Sequence, residues 1–309
     1  PRAMFGQFMI EIAKKNKKLI GLSADLGRSS GLDRFKSEFP EKYLSVGISE
    51  QNLIGVASGL AKEGFKVFVT SFAPFLSMRA SEQIRMNLGY MKLPVNIVAL
   101  GSGISMGYLG NSHFGLEDIA VMRTIPGIKI FSPADCAEMG KMLHKISDKN
   151  LGPSYIRLTG IPGSPIVYNQ KFNFSPGEPN VLKKGKDILI IGTGSVLSQC
   201  IIASKELEKF KLKCEVINLH TLKPTNHKLL NTIKKFKTVI TVEEHSLIGG
   251  LYSIISELCS KHKLIKNLIP ISLPDKFGPT GTYNYLLNFH GLTAKKIVKK
   301  IKNELSLRR

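Results

Sequence analysis

The chain has 309 residues, 43% hydrophobic and 22% charged, a balance that excludes a disordered or fibrous protein and leaves room for two ordinary domains. Its 44 basic against 23 acidic residues give a net charge of +21, but the excess is mostly lysine spread along the whole length. Without Arg-rich or aromatic-interleaved stripes, this argues against nucleic acid as the partner and for solvated faces with a mild attraction for anionic substrates. No run of 18 apolar residues marks a membrane span and no signal peptide opens the chain. Cys136, Cys200, Cys214 and Cys259 are far apart and show no metal-ligand spacing, so a reduced, cytoplasmic protein without a metal site of its own is expected.

Phe5, Phe8, Met9 and Ile12 recur at helical spacing and the lysines at 14–18 close that helix. Leu19 to Ala24 is a short apolar strand that ends in the turn-rich loop Asp25 to Gly31, an edge where open α/β sheets place ligands. Tyr43 to Ile48 reads as a strand. Leu53, Ile54, Ala57 and Leu60 then make an inward-packing helix that begins at Glu50. A carboxylate there gains from the helix dipole, so taken alone it is either a helix-start acid or something more.

Phe65 to Thr70 alternates as a strand and leads into Phe72 and Phe75, two aromatics that either pack a core or offer faces to a planar ring. A helix is expected over Phe75 to Tyr90 and a buried strand over Val95 to Leu100. The glycine-rich loop that follows ends in His113, which is either a surface histidine or a proton shuttle in a cleft. Ile128 to Phe131 and Ser154 to Leu158 complete the first group of strands. A Gly-, Pro- and Asn-rich stretch then reads as a linker.

Strand and helix alternation resumes at Asp187 to Gly192. Next come Glu215 to Leu219, a turn at His220 to Pro224, Thr238 to Val242, and a terminal helix with Ile297 and Ile301 on one side. The fold class is therefore α/β, two parallel-sheet domains at 1–165 and 183–309 joined by a linker at 166–182. Gly192-Thr193-Gly194-Ser195 is either a phosphate cradle at a helix start or a structural turn, and Glu243-Glu244-His245 is either an acid/base motif or structural and interfacial.

Five pieces stand in order: Val46 to Asn52, Ser71 to Phe75, Met91 to Val95, Asn111-Ser112-His113 and Phe131 to Asp135. Together they resemble the pyrimidine-binding half of the transketolase family, and the likeness runs over nearly the whole chain. It implies a thiamine diphosphate enzyme in which Glu50 faces N1' of the aminopyrimidine, Phe72 and Phe75 pack on that ring, Asp25 lies close to the cofactor and His113 faces the substrate carbonyl. Arg2 and Ser29 match family residues that hold a substrate phosphate.

The family's diphosphate and Mg²⁺ signature, Gly-Asp-Gly followed by Asn, is found nowhere in the chain. The resemblance therefore implies a split enzyme, with a separate N-terminal subunit that holds Mg²⁺ and two copies of this chain in an α2β2 assembly. The implied reaction moves a two-carbon ketol or acyl unit from a ketose or 2-oxo acid to an aldehyde. Gly101, Leu109 and Gly160 stand where transketolases carry substrate-contacting polar residues, which puts an ordinary phosphoketose exchange in doubt. The alternatives are a deoxyxylulose-phosphate-synthase-like protein, a 2-oxo acid dehydrogenase β subunit, or a non-catalytic partner.

Overall fold

The computed structural model describes residues 2–149 and 151–306, with side chains from residue 4 onward. Strands β1 (Leu19–Ser23), β2 (Tyr43–Ser45), β3 (Lys66–Phe72), β4 (Val95–Leu100), β5 (Lys129–Phe131) and β6 (Ser154–Leu158) form a parallel sheet. A second sheet holds β7 (Asn180–Lys183), β8 (Ile188–Gly192), β9 (Cys214–Asn218), β11 (Thr238–Ser246) and β12 (Asn267–Leu273) in the order β12-β11-β8-β9-β7, with β7 antiparallel at its edge. The first of these five strands begins at Asn180, inside the stretch expected to be a linker.

Residues 220–224, expected as a turn, instead contain β10 (Thr221–Lys223), which pairs antiparallel with β5. The first sheet thus has seven strands in the order β10-β5-β6-β4-β3-β1-β2, and its outer edge is supplied from the C-terminal half of the chain. Thr221 and Leu222 are buried, which suits a strand with a β-branched residue that covers an otherwise open edge.

The central strands are apolar on both faces because helices cover both. Val67 and Val69 belong to one apolar cluster while Phe68, between them, belongs to another on the opposite face. The first cluster continues through Tyr155 into Leu189, Ile191, Ile217 and Val239, so the two sheets share one core.

The β1–β3 and β4–β6 pairings align Ser23 with Thr70 and Leu100 with Leu158, bringing the strands' carboxyl ends out along one edge. Strand order reverses direction beside β1, the crevice where open α/β sheets bind ligands. The expected loop after β1 is partly helical: Gly27–Ser30 forms one helical turn, and Gly31 at φ 78° breaks it before Leu32–Glu38. The stretch expected as one α-helix over Phe75 to Tyr90 is widened into π-helical turns at Phe75–Arg79 and Ile84–Tyr90.

Candidate active site

Glu50 is the first residue of the helix Glu50–Lys62, which begins just past the end of β2, and it is only 1% exposed. Two side chains explain how a carboxylate persists there. Ser71, near the end of β3, donates its hydroxyl to Oε1 at 2.8 Å, and Arg79 donates from its guanidinium to Oε2 at 2.7 Å. Arg79 reaches Glu50 from the π-helical turn, and its guanidinium lies over the Phe75 ring, 4.5 Å from the centroid.

Phe72 and Phe75 meet edge to face at 5.9 Å, and the His113 ring stands edge-on to both, at 5.4 and 5.2 Å. The histidine comes from a glycine-rich loop that crosses the carboxyl end of β4, and Ser112 Oγ lies 3.0 Å from its Nδ1. Sequence reasoning thus selected three rings that the fold gathers into one cluster. Asp25 sits at the end of β1 in the left-handed region, φ 56°, a conformation that aspartate tolerates, and its side chain is exposed. Among the described residues no hydrogen bond or ion pair ties Asp25 to the ring cluster. Ser29 lies on the wall of a cleft of about 560 Å³ that also includes Phe72, Arg28 and Arg34. The side chain of Arg2 lies outside the described residues.

Sequence reasoning missed the two partners of Glu50, Ser71 and Arg79. Arg79 was legible in principle: it is the one cation within a helical turn of the Phe pair, and a buried acid needs a partner. Two of the three departures from the family pattern stand where the backbone and its neighbours leave no room for a side chain. Gly101 has φ 70°, and a Cβ there would stand 2.6 Å from Met106 Cγ. Gly160 has φ 77°, and a Cβ would meet Ser164 Oγ and Ser195 Cβ, both at 2.9 Å. Leu109 faces the cleft half-exposed.

The acidic motif in β11 is occupied structurally. Glu243 caps the helix Leu251–Lys261 by accepting from the backbone N–H groups of Leu251 and Tyr252. Glu244 Oε1 accepts from Ser195 Oγ and Tyr283, both at 2.7 Å. His245 lies 3.8 Å from Asp118 Oδ1, and Asp118 is paired with the fully buried Arg157.

Sequence comparison decides the family. The transketolase pyrimidine-binding domain profile matches residues 1–160, and the transketolase C-terminal domain profile matches residues 177–297. The chain belongs to the transketolase family. It is accordingly a transketolase-type transferase chain of a thiamine-diphosphate-dependent family. Over 299 residues it is 34% identical to the 6-deoxy-6-sulfo-D-fructose transketolase subunit SqwH of Clostridium sp. strain MSTE9, covering 96% of this chain and 92% of that one. Over 300 residues it is 34% identical to the 1-deoxy-D-xylulose-5-phosphate synthase of Dictyoglomus thermophilum, covering 96% of this chain and 48% of that one. A solved split-gene transketolase, described as an inactive β4 tetramer, superposes with a TM-score of 0.87 at 36% identity, covering 100% of this chain and 98% of that one.

The residues present fit the cofactor's pyrimidine half. Each Glu50 oxygen uses one lone pair on Ser71 or Arg79 and keeps another, so a ring N–H can still donate to it.

Proposed function

We propose that this chain is the C-terminal subunit of a two-subunit transketolase-like enzyme. It transfers a two-carbon ketol unit from a ketose to an aldehyde acceptor, in the cytoplasm, with two copies of each subunit. A separate subunit supplies the grip on the cofactor's diphosphate and Mg²⁺. The observation that carries this reading is Glu50: a carboxylate 1% exposed, held by Ser71 and by an Arg79 whose guanidinium lies over the Phe75 ring, is expensive to maintain and points to a charge used in chemistry. The near end-to-end likeness to a transketolase subunit and to a split-gene transketolase chain supports the division into subunits.

When bound, thiamine diphosphate supplies the nucleophilic carbon and the electron sink for C–C bond cleavage. Glu50 holds the proton at pyrimidine N1'. Phe72 and Phe75 wall that ring from water, which strengthens the Glu50 contact by lowering the local dielectric. His113 donates to the carbonyl oxygen of donor and acceptor and moves the proton there. Asp25 lies on the cofactor side of the β1 edge. Gly101, Leu109 and Gly160, together with the likeness to the synthase, favour a 2-oxo acid donor as the second reading.

The test is a circular-dichroism titration with thiamine diphosphate and Mg²⁺ on this chain, on the diphosphate-binding subunit and on their mixture, together with a ketol-transfer assay. The mixture alone should show cofactor binding and turnover. Glu50→Gln should keep the assembly yet lower turnover at least about a hundredfold, the scale of a lost proton-transfer group. Full activity of this chain alone, or near-normal rates in the variant, would overturn the reading.

A further inference from the structure

The loop that carries His113 is weakly built from its own residues. Gly103 and Gly115 close its neck by exchanging backbone hydrogen bonds at 2.8 and 3.0 Å. Beyond them the tip, Gly107–Ser112, is a pair of 3₁₀ turns broken at Gly110, where φ is 70° and ψ −157°. Such a tip fixes a side chain only where something outside the loop holds it. Phe72 and Phe75 bear on the imidazole ring and leave the backbone beneath it unsupported.

That support comes from the C-terminal half. Asn111 donates from Nδ2 to the carbonyl of Gly278 at 2.9 Å, and its Oδ1 accepts from the N–H of the same residue at 3.3 Å. Gly278 lies in the segment between β12 and the helix Tyr283–Phe289. The same segment meets the tip twice more. The N–H of Gly281 stands 3.5 Å from the carbonyl of Gly107, and Thr280 Cγ2 takes the space that a Cβ on Gly110 would need. Gly110 in turn accepts from the N–H groups of His113 at 2.9 Å and Phe114 at 3.0 Å. The clasp therefore sits two residues from the imidazole and is joined to it through one carbonyl.

The residue type suits the task. A side-chain amide carries a donor and an acceptor side by side, so it can satisfy both the C=O and the N–H of one residue. The two bonds also fix its orientation, because exchanging Oδ1 and Nδ2 would set acceptor against acceptor and donor against donor. Asn111 is exposed, so the pair adds little to global stability and acts on the loop it holds.

We propose that Asn111 is a positioning residue for His113: by clasping Gly278 it uses the C-terminal half to hold the loop tip where the imidazole can meet the substrate carbonyl. This rests on the ketol-transfer reading for what the imidazole does, and it gives the second domain a part in the site.

The test reads hydrogen exchange as well as turnover, on the full chain alone and mixed with the diphosphate-binding subunit. In Asn111→Ala the amides of His113 and Phe114 should exchange about tenfold faster, the scale of two exposed hydrogen bonds lost, while the amides of β3 and β4 and the urea midpoint stay unchanged. In the mixture kcat should fall about tenfold, the scale of a slightly misplaced catalytic group, with the KM and the thiamine diphosphate affinity unchanged. That loss should vanish in a His113→Ala background, where no imidazole is left to aim. A wild-type mixture that transfers no ketol unit would fail the ketol-transfer reading, and exchange at His113 and Phe114 would then decide the clasp alone. Unchanged exchange at those two amides, or a loss of kcat that adds in full to that of His113→Ala, would overturn the positioning role.

Discussion

At the scale of single residues, the site depends on positions where a side chain is held and on others where none fits. A strand giving way to an apolar helix marked Glu50, but only the family resemblance raised it above a helix-start acid. Its partners were not legible, because the contact from Arg79 needs a π-helical turn that apolar periodicity alone does not announce. Gly160 is the opposite case: its backbone is left-handed and its neighbours close off the Cβ direction. Gly160→Arg, which puts a polar side chain back where the resemblance implies a substrate-contacting one, should therefore fail as a repair. We expect it to lower the unfolding free energy by about 1–3 kcal/mol, from backbone strain and overpacking. It should leave the KM for a phosphorylated sugar no lower. Urea unfolding and steady-state kinetics check both halves, and a lower KM would show that the loop can yield.

At the scale of elements, most strands that periodicity announced are present with bounds within a residue or two, whereas β7 and β12 were not expected as strands. The exceptions are elements whose identity is set by what they pair with. Residues 220–224 carry a proline and a lysine and read as a turn, yet β10 exists because β5 leaves an open edge. The preceding residue, His220, is buried against Phe174, at 4.8 Å between ring centroids, while its backbone carbonyl accepts from Ser132 N–H. Burial pushes its imidazole down to about 4. An unfolded histidine titrates near 6.5, so the unfolded chain binds the extra proton between those values and stability is lost as pH falls through that window. Glu138 and Glu243, pushed up to about 7 by burial, titrate in the opposite sense over much of the same range, so the useful comparison is with a variant. Relative to His220→Asn, the wild type should lose about 3 kcal/mol of stability between pH 6.5 and 4. Parallel urea curves for the two proteins across that range would contradict the assignment.

At the scale of the whole molecule, a buried charge network ties the two sheets together. Arg157 on β6 donates to Asp118 through two guanidinium nitrogens, each at 3.1 Å, and also to the backbone carbonyl of Glu244 on β11. Tyr155 donates its hydroxyl to the same aspartate. Asp118 is held below the usual carboxylate range: burial opposes ionisation, but the adjacent guanidinium outweighs it. Asp118→Asn should cost about 3–5 kcal/mol, because it leaves a buried guanidinium without its counter-charge. The double variant Asp118→Leu/Arg157→Met should cost less than the single one. Chemical denaturation of the three proteins decides this, and a double variant that loses as much stability as the single one, or more, would contradict it. None of this was visible in sequence, where Asp118 and Arg157 stand 39 positions apart and nothing marks them as partners.

The strand lent across from the C-terminal half has a mechanical meaning. Because β10 is stitched to β5 while the rest of its half wraps the other sheet, the two lobes cannot swing apart as doors on a hinge without first unzipping a seam. Under the proposed ketol transfer, whatever opens to admit a substrate and release a product must then be small and local, in loops such as the one that carries His113, with the body of the subunit a fixed anvil beneath them.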